Sequence, residues 1–320
     1  MASTEKHRAS ASVKGRKVAI PWSGWKDIIW RVKSRINEDN LSIVAAGVSF
    51  YTFLSIFPAL AALVSIYALV TDPANLQEHI NSVQVVLPAE AAQLVNQQLQ
   101  RIVESHPGGP GWGLVLGIIL ALWSAAKGMS ALIAALNVAY DEAERRGFLK
   151  LNALALSLTL AGMLFLILFL FLIVGIPAVL NMFELAGPGV ALINYLRWPL
   201  LAIGAIVALG VLYRRAPNRD APNWRWITWG AVIATVLWLI GSVLFSYYVA
   251  NFGSYNAVYG SLGVVVILMM WLLLSVYCVL LGAEINAEIE RHTKGDAAVQ
   301  SESTGERGAR VADTVGRKTA

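Results

Sequence analysis

Residues 226–283 read WITWGAVIATVLWLIGSVLFSYYVANFGSYNAVYGSLGVVVILMMWLLLSVYCVLLGA and contain no charged side chain among fifty-eight positions. A helix crosses a hydrocarbon core about 30 Å thick with roughly 20 apolar residues. The polar patch Asn251–Asn256 divides the stretch near its middle. We therefore interpret the stretch as two membrane-spanning helices joined by a short loop.

The composition of the whole chain indicates the same class of protein. Of its 320 residues, 57% are hydrophobic and 14% are charged, whereas an ordinary soluble domain has about 25% charged residues. Together with four further charge-poor stretches, this composition predicts an all-α polytopic membrane protein with six transmembrane helices. The predicted spans are residues 44–70, 112–138, 151–180, 195–213, 226–250 and 259–283, within a membrane domain of residues 21–292.

The positive charges predict the orientation of these helices. Twenty-two of the 25 lysines and arginines fall in the N-terminal arm, in two loops and in the C-terminal tail, all on one side of the predicted spans. The opposite side carries only Arg101 and Arg197. Because short cytoplasmic loops hold the positive excess, we expect both termini to be cytoplasmic. The polar compositions of residues 1–20 and 293–320 predict a disordered basic arm and a disordered cytoplasmic tail.

Two segments have the pattern of helices that lie on the membrane surface. Residues 25–36 place apolar side chains at positions 25, 28, 29, 32 and 36, with basic side chains between them, which is the spacing of an amphipathic helix. Such a helix either attracts anionic lipid headgroups or braces the first span as an elbow. Residues 72–106 favour two more amphipathic helices, which either cover a cavity or pack on lipid.

Three residues within the predicted spans are unusual for a membrane helix. Pro58 and Pro177 predict helix kinks, because proline removes a helical hydrogen bond and clashes with the preceding turn. Lys127 lies well inside the second span, and an ionisable residue at membrane depth is a candidate for function. Its long side chain either faces a pathway or extends toward the cytoplasmic interface, and the sequence is compatible with both.

A second group of polar residues is predicted at the cytoplasmic ends of the spans. Glu284 and Glu288 share one helix face at a spacing of four residues. With Lys127, Asn137 and Asn286, they are the candidates for a transport pathway or a polar cluster at the cytoplasmic mouth. The alternative for a carboxylate at this boundary is a structural ion pair with a nearby arginine.

The sequence has no recognisable catalytic motif. The four histidines, His7, His79, His106 and His292, do not form pairs with metal-binding spacing. The single cysteine, Cys278, lies within the last predicted span, so no intramolecular disulfide can form. We therefore predict no enzymatic activity, no cofactor and no metal. The net charge of +5 follows from the positive-inside asymmetry, so no nucleic-acid partner is expected.

Several motifs resemble those of one protein family. Residues 39–58 read DNLSIVAAGVSFYTFLSIFP, and residues 123–140 read WSAAKGMSALIAALNVAY. Later motifs are YRRAP at 213–217, YGSLG at 259–263 and GAEIN at 282–286. Together they resemble the YihY/virulence factor BrkB family over about residues 21–292. The resemblance implies a multi-pass protein of the bacterial inner membrane. Some members were labelled ribonucleases, and others are connected with transport or virulence.

Two functions are compatible with these observations. The first is a transporter or lipid translocator of unknown substrate, which Lys127, the predicted kinks and the amphipathic segments favour. Its partners would be membrane lipids, anionic ones included, and a small-molecule or lipid substrate. The second is a non-transporting scaffold for envelope assembly, in which small residues such as Ala45, Gly47 and Gly117 form close helix contacts. The ribonuclease label has no support in the cytoplasmic loops, which lack an evident acid–base or metal set.

Overall fold

The computed structural model describes residues 22–70, 112–183, 187–219, 224–252 and 262–316, and the regular structure in these ranges is helical. The helices are α1 (Trp22–Glu38), α2 (Leu41–Val70), α3 (Trp112–Ala139), α4 (Phe148–Leu170), α5 (Ile176–Met182), α6 (Pro188–Arg215), α7 (Trp224–Phe252) and α8 (Leu262–Gly316). A π-helical turn, Phe171–Gly175, joins α4 to α5.

Six helices are long and apolar enough to cross a membrane, which confirms the predicted all-α fold with six transmembrane helices. The crossing segments are Leu41–Leu63, Val115–Ala139, Phe148–Ile173, Pro188–Arg215, Trp229–Asn251 and Val265–Thr293. The side on which the termini lie stays a prediction. The predicted arm of residues 1–20 and the predicted surface helices of residues 72–106 fall outside the described ranges.

Helix α8 is the central element of the bundle. It packs along α7 and also contacts α1, α2 and α3, while α2 and α3 form the other extensive helix pair. The outer faces of α4 and α6 expose large apolar side chains such as Leu164 and Leu200. Such faces are expected where lipid, rather than water, surrounds the helices.

The buried core lies near one end of the bundle, on the side predicted to be cytoplasmic. Leu41 and Ala45 at the start of α2 pack with Leu136 of α3, Tyr213 of α6 and Leu280 of α8, all of them buried. These four helices come from separate parts of the sequence and meet at this point. The core therefore fixes the positions of the polar side chains around it.

Helix α1 is the amphipathic helix that the apolar spacing predicts. Its Ile28 and Val32 are buried against Ile289 of α8, whereas Ile29 and Trp30 are exposed. Two residues after α1, Asn40 adopts a positive φ of 49°, and α2 begins at the next residue. These contacts hold α1 chiefly against the last span, whereas the elbow that the sequence offers would brace the first span.

The two prolines have different surroundings. Pro58 lies inside α2, which continues through it to Val70. Pro177 follows the π-helical turn, and it cannot donate a hydrogen bond to the carbonyl of Ile173 four residues earlier. The guanidinium of Arg197 reaches that carbonyl oxygen at 3.4 Å. Thus the helix is irregular at the position where the sequence predicts a kink, and an arginine of α6 compensates for the missing donor.

Helix α8 extends well beyond the residues predicted to cross the membrane. It continues to Gly316, so residues 293–316 are helical in the structure, although their composition predicts a disordered tail. No proline occurs between residues 262 and 316 to end the helix.

Candidate functional site

Four of the five predicted site residues come together at the end of the bundle that holds the core. Asn137, Glu284, Asn286 and Glu288 are at most 5% exposed, and we call them the inner polar cluster. Asn137 lies in the last turn of α3, while the other three lie within five consecutive residues of α8. Burial of so many polar groups requires partners, and the partners differ from residue to residue.

Glu288 is the anchor of an ion-pair network. Its carboxylate accepts a hydrogen bond from Arg291 at 2.6 Å and lies 3.9 Å from the guanidinium of Arg35. Asp141 lies within 3.7 Å of both arginines. Glu288 therefore forms the structural ion pair with arginine that the sequence offered as the alternative to a pathway role. The network ties α1 to α8 and to the loop after α3.

Glu284, one turn earlier, has no such pairing. Its side chain is fully buried, and no N–H or hydroxyl group among the described residues donates to either carboxylate oxygen, whereas the carboxyl group of Asp39 lies within hydrogen-bonding reach. Arg35 and Arg291 attract its charge, while the nearby carboxylate of Asp39 repels it. Burial of an ionised carboxylate without such a donor is costly, so Glu284 adds none of the ion-pair stabilisation that Glu288 provides.

This contrast between neighbouring glutamates leads to a first prediction. The variant Glu284→Gln should be at least as stable as the wild type, because it removes no ion pair and replaces a buried carboxyl group by a neutral amide that can donate to Asp39. The matched variant Glu288→Gln should lose about 1.5 kcal/mol, because it removes the charge-assisted hydrogen bond from Arg291 and the attraction of Arg35, although Asp141 still lies near both arginines. Thermal unfolding of the two purified variants in the same detergent measures the difference. Equal losses in both variants would contradict the assigned pairing.

Asn286 connects α8 to α7 at a point of very close backbone approach. Its side-chain oxygen accepts a hydrogen bond from the backbone N–H of Gly230 at 2.7 Å. A Cβ atom at Gly230 would collide with the carbonyl of Gly282 and with the amide of Asn286. Beside this contact, the hydroxyl of Tyr213 donates to the carbonyl of Val279 at 2.7 Å. Helices α6, α7 and α8 are thereby held together at the end of the bundle that holds the buried core.

Asn137 connects two loops. Its amide nitrogen donates to Glu144 at 2.9 Å, and its oxygen accepts from the backbone N–H of Asn218 at 2.8 Å. Arg146 completes the link, since it binds Glu144 and also donates to the carbonyl of Ala216 at 2.7 Å. The hydrogen bonds from Arg146 lower the pKa of Glu144 from 4.5 to about 2, so this carboxylate is ionised at neutral pH.

Lys127 lies apart from the inner polar cluster. It is exposed on α3, with its ammonium group 5.4 Å from the centre of the Trp123 ring. No described carboxylate lies within 4.0 Å of it. Lys127 occupies a groove of about 470 Å³ between α2 and α3, which we call the lateral groove. The groove is lined by Tyr51, Leu54, Ser55, Ser124, Lys127, Ser130 and Ala131.

A close helix contact forms the edge of the lateral groove. The backbone N–H of Gly128 donates to the hydroxyl of Ser55 at 2.8 Å. A Cβ atom at Gly128 would come within 2.6 Å of that hydroxyl. The pair therefore sets the distance between α2 and α3 beside Lys127.

The surroundings of Lys127 at membrane depth bear on its role. It lies twelve residues from each end of the span Val115–Ala139, which corresponds to about 18 Å at 1.5 Å per residue. This position is compatible with both predicted roles of Lys127, a group that faces a pathway and a side chain that extends toward the interface.

A further property of the described residues concerns metal binding. Within the described ranges no group of three histidine, cysteine or acidic residues is placed to hold a metal ion.

The sequence did not single out Glu144, Arg146 and Asn218, although they position Asn137. These charged and amide side chains lie in loops, and no local sequence pattern indicates which residues they contact. The sequence alone therefore could not identify them.

Comparison with known proteins gives consistent matches. The family model for "Virulence factor BrkB" matches residues 32–306. The "Putative ribonuclease-like protein YfkH" of Bacillus subtilis is 33% identical over 255 residues, covering 78% of this chain and 90% of that protein. The "UPF0761 membrane protein IL2447" of Idiomarina loihiensis is 26% identical, covering 81% and 89% respectively. No solved structure matches the chain significantly.

Proposed function

The chain belongs to the Virulence factor BrkB family, and from this premise we propose that it is a membrane transport protein that moves an anionic lipid along the lateral groove. The observation that carries the proposal is Lys127, an exposed cation in the middle of a span without an acidic partner among the described residues. A cation at that depth is costly unless a counter-ion or water accompanies it.

The lining of the lateral groove suits an amphiphilic substrate. Leu54, Ala131 and the ring of Tyr51 supply apolar surface, while Ser55, Ser124 and Ser130 add hydroxyl groups near the ammonium of Lys127. An anionic headgroup would offset the lysine charge, and the acyl chains would remain in the bilayer beside the groove. In the proposed mechanism Lys127 lowers the barrier to moving a headgroup through the hydrocarbon core.

The name of the YfkH relative raises the question of ribonuclease activity. That name describes the relative, and we do not propose the activity for this chain. The polar residues that the structure brings together are engaged in hydrogen bonds and ion pairs between helices, except for Glu284, which is fully buried.

A scaffold remains the second candidate, and one observation favours it. Gly47 and Gly117 are two of the small residues predicted to form close helix contacts. No atom of the described residues lies within 4 Å of a Cβ atom added at either glycine, so both leave room for a helix of another protein. Ala45, in contrast, is buried within the chain. Crosslinking in native membranes tests this candidate. Recovery of the protein alone, without a partner, would exclude it.

Filling the lateral groove tests the transport proposal. The variant Ala131→Trp should reduce the rate of transbilayer lipid movement in reconstituted vesicles toward that of protein-free vesicles, because the indole occupies the groove. The matched control is Ala134→Trp, which adds the same side chain to an exposed position on the same helix outside the groove. If both variants move labelled anionic lipid at the wild-type rate, the lateral groove is not the pathway.

A further inference from the structure

A polar pocket of about 380 Å³ opens beside the inner polar cluster, and the proposed lipid movement does not use it. It lies between the loop after α3, the loop after α6 and the inner part of α8. Its lining includes Tyr140, Glu142, Arg145, Asn218, Arg219 and Arg291. We call it the arginine pocket.

We propose that the arginine pocket binds the phosphate group of a ligand. Three arginines from three separate segments line the pocket, together with two glutamates, Glu142 and Glu290, so its charged lining is net positive. The planar fork of arginine matches the oxygens of a phosphate group. The inference concerns a site distinct from the lateral groove and does not depend on lipid movement there.

Arg219 is the fixed part of this site. Its side chain is 5% exposed and pairs with Glu290 at 2.7 Å. It also donates to the carbonyl of Tyr213 at 3.0 Å, and its guanidinium stacks 4.0 Å from the centre of the Tyr140 ring. Its Nε atom has no acceptor among the described residues. The guanidinium is thus held rigidly while part of its hydrogen-bonding capacity remains unused.

Arg145 is the free part of the site. It is exposed on the loop after α3 and forms no ion pair or hydrogen bond with the described residues. Arg291, by comparison, is engaged with Glu288 and Asp141. Because Arg219 pairs with Glu290, Arg145 is the exposed cation that an incoming phosphate would meet, and Glu142 is the carboxylate in the same lining that a bound phosphate would have to avoid.

The walls of the arginine pocket are fixed before any ligand arrives. Asn218 donates from its side chain to the carbonyl of Ala143 at 2.9 Å and from its backbone to Asn137 at 2.8 Å. These bonds join the two loops that carry Arg145 and Arg219. Because the loops are already ordered, less of the binding free energy is lost to ordering them when a ligand binds.

Two sources can supply the phosphate group: a soluble phosphorylated molecule or the headgroup of a lipid. The experiment therefore uses two probes, inorganic phosphate and short-chain phosphatidic acid. Their affinities are measured by calorimetry on the full chain in a non-ionic detergent, with chloride at equal ionic strength as the reference. Binding of inorganic phosphate identifies a soluble source, and binding of phosphatidic acid alone identifies a lipid source.

The key variant is Arg145→Ala, which should weaken binding of the accepted probe about tenfold through loss of one charge-assisted hydrogen bond. The matched control, Arg215→Ala, removes an exposed arginine outside the pocket and should bind as the wild type does. Arg219→Lys keeps the charge but loses the planar fork, so it should weaken binding as well. The proposal is overturned if neither probe binds in preference to chloride, or if Arg145→Ala and Arg215→Ala bind equally well.

Discussion

Replacement of Gly230 by alanine is expected to lower the free energy of unfolding by about 3 kcal/mol or more, near the upper end of the cost of overpacking. The added Cβ would collide with the carbonyl of Gly282 and the amide of Asn286. One neighbour is backbone and the other is hydrogen-bonded to Gly230 itself, so neither can move without separating α7 from α8. The measurement is thermal unfolding of the purified protein.

Gly47 provides the matched control for this substitution. It also lies in a membrane-spanning helix, but nothing lies within 4 Å of its added Cβ atom. Gly47→Ala should therefore leave the protein as stable as the wild type or slightly more so, since alanine is the better helix former. If Gly230→Ala and Gly47→Ala unfold at the same temperature, the close packing of α7 on α8 is wrong.

Replacement of Lys127 by alanine is expected to slow the movement of anionic lipid between leaflets about tenfold, which corresponds to about 1.4 kcal/mol in the barrier. Among the described residues that line the lateral groove, Lys127 carries the only charge. Its removal takes away the group that would stabilise an anionic headgroup in the middle of the bilayer. Movement of a zwitterionic lipid should fall less, because its net charge is zero.

Two further variants separate this role from a general effect of charge. Lys127→Arg keeps a cation in the groove and should retain most of the rate. Lys150→Ala removes an exposed lysine that lies outside the groove and should not change it. The fold of Lys127→Ala is checked by thermal unfolding. A folded Lys127→Ala protein that moves anionic lipid at the wild-type rate would contradict the role assigned to this lysine.

The sequence predicts the membrane fold well because the bilayer imposes a simple constraint on each span separately. A stretch such as residues 226–283 has one physical solution, a pair of membrane-spanning helices, whatever its neighbours are. The amphipathic spacing of residues 25–36 likewise predicts α1 without knowledge of what Ile28 and Val32 contact. These features depend on local pattern alone.

The candidate site is less predictable because it depends on contacts between distant segments. The spacing of Glu284 and Glu288 places them on one face, yet only the fold shows that Glu288 meets Arg35 and Arg291 while Glu284 forms no ion pair with the residues that the structure describes. The link from Asn137 to Asn218 spans 81 positions. The exposure of Lys127 to a groove depends on how α3 is rotated against α2, which no property of α3 alone decides.

The most direct test of the proposed function is the rate at which a labelled anionic lipid crosses the bilayer of vesicles that contain the purified wild-type protein. We expect this rate to exceed that of protein-free vesicles and to rise with the amount of folded protein inserted. A rate equal to that of protein-free vesicles, for a protein shown to be folded and inserted, would contradict lipid movement as the function of this chain.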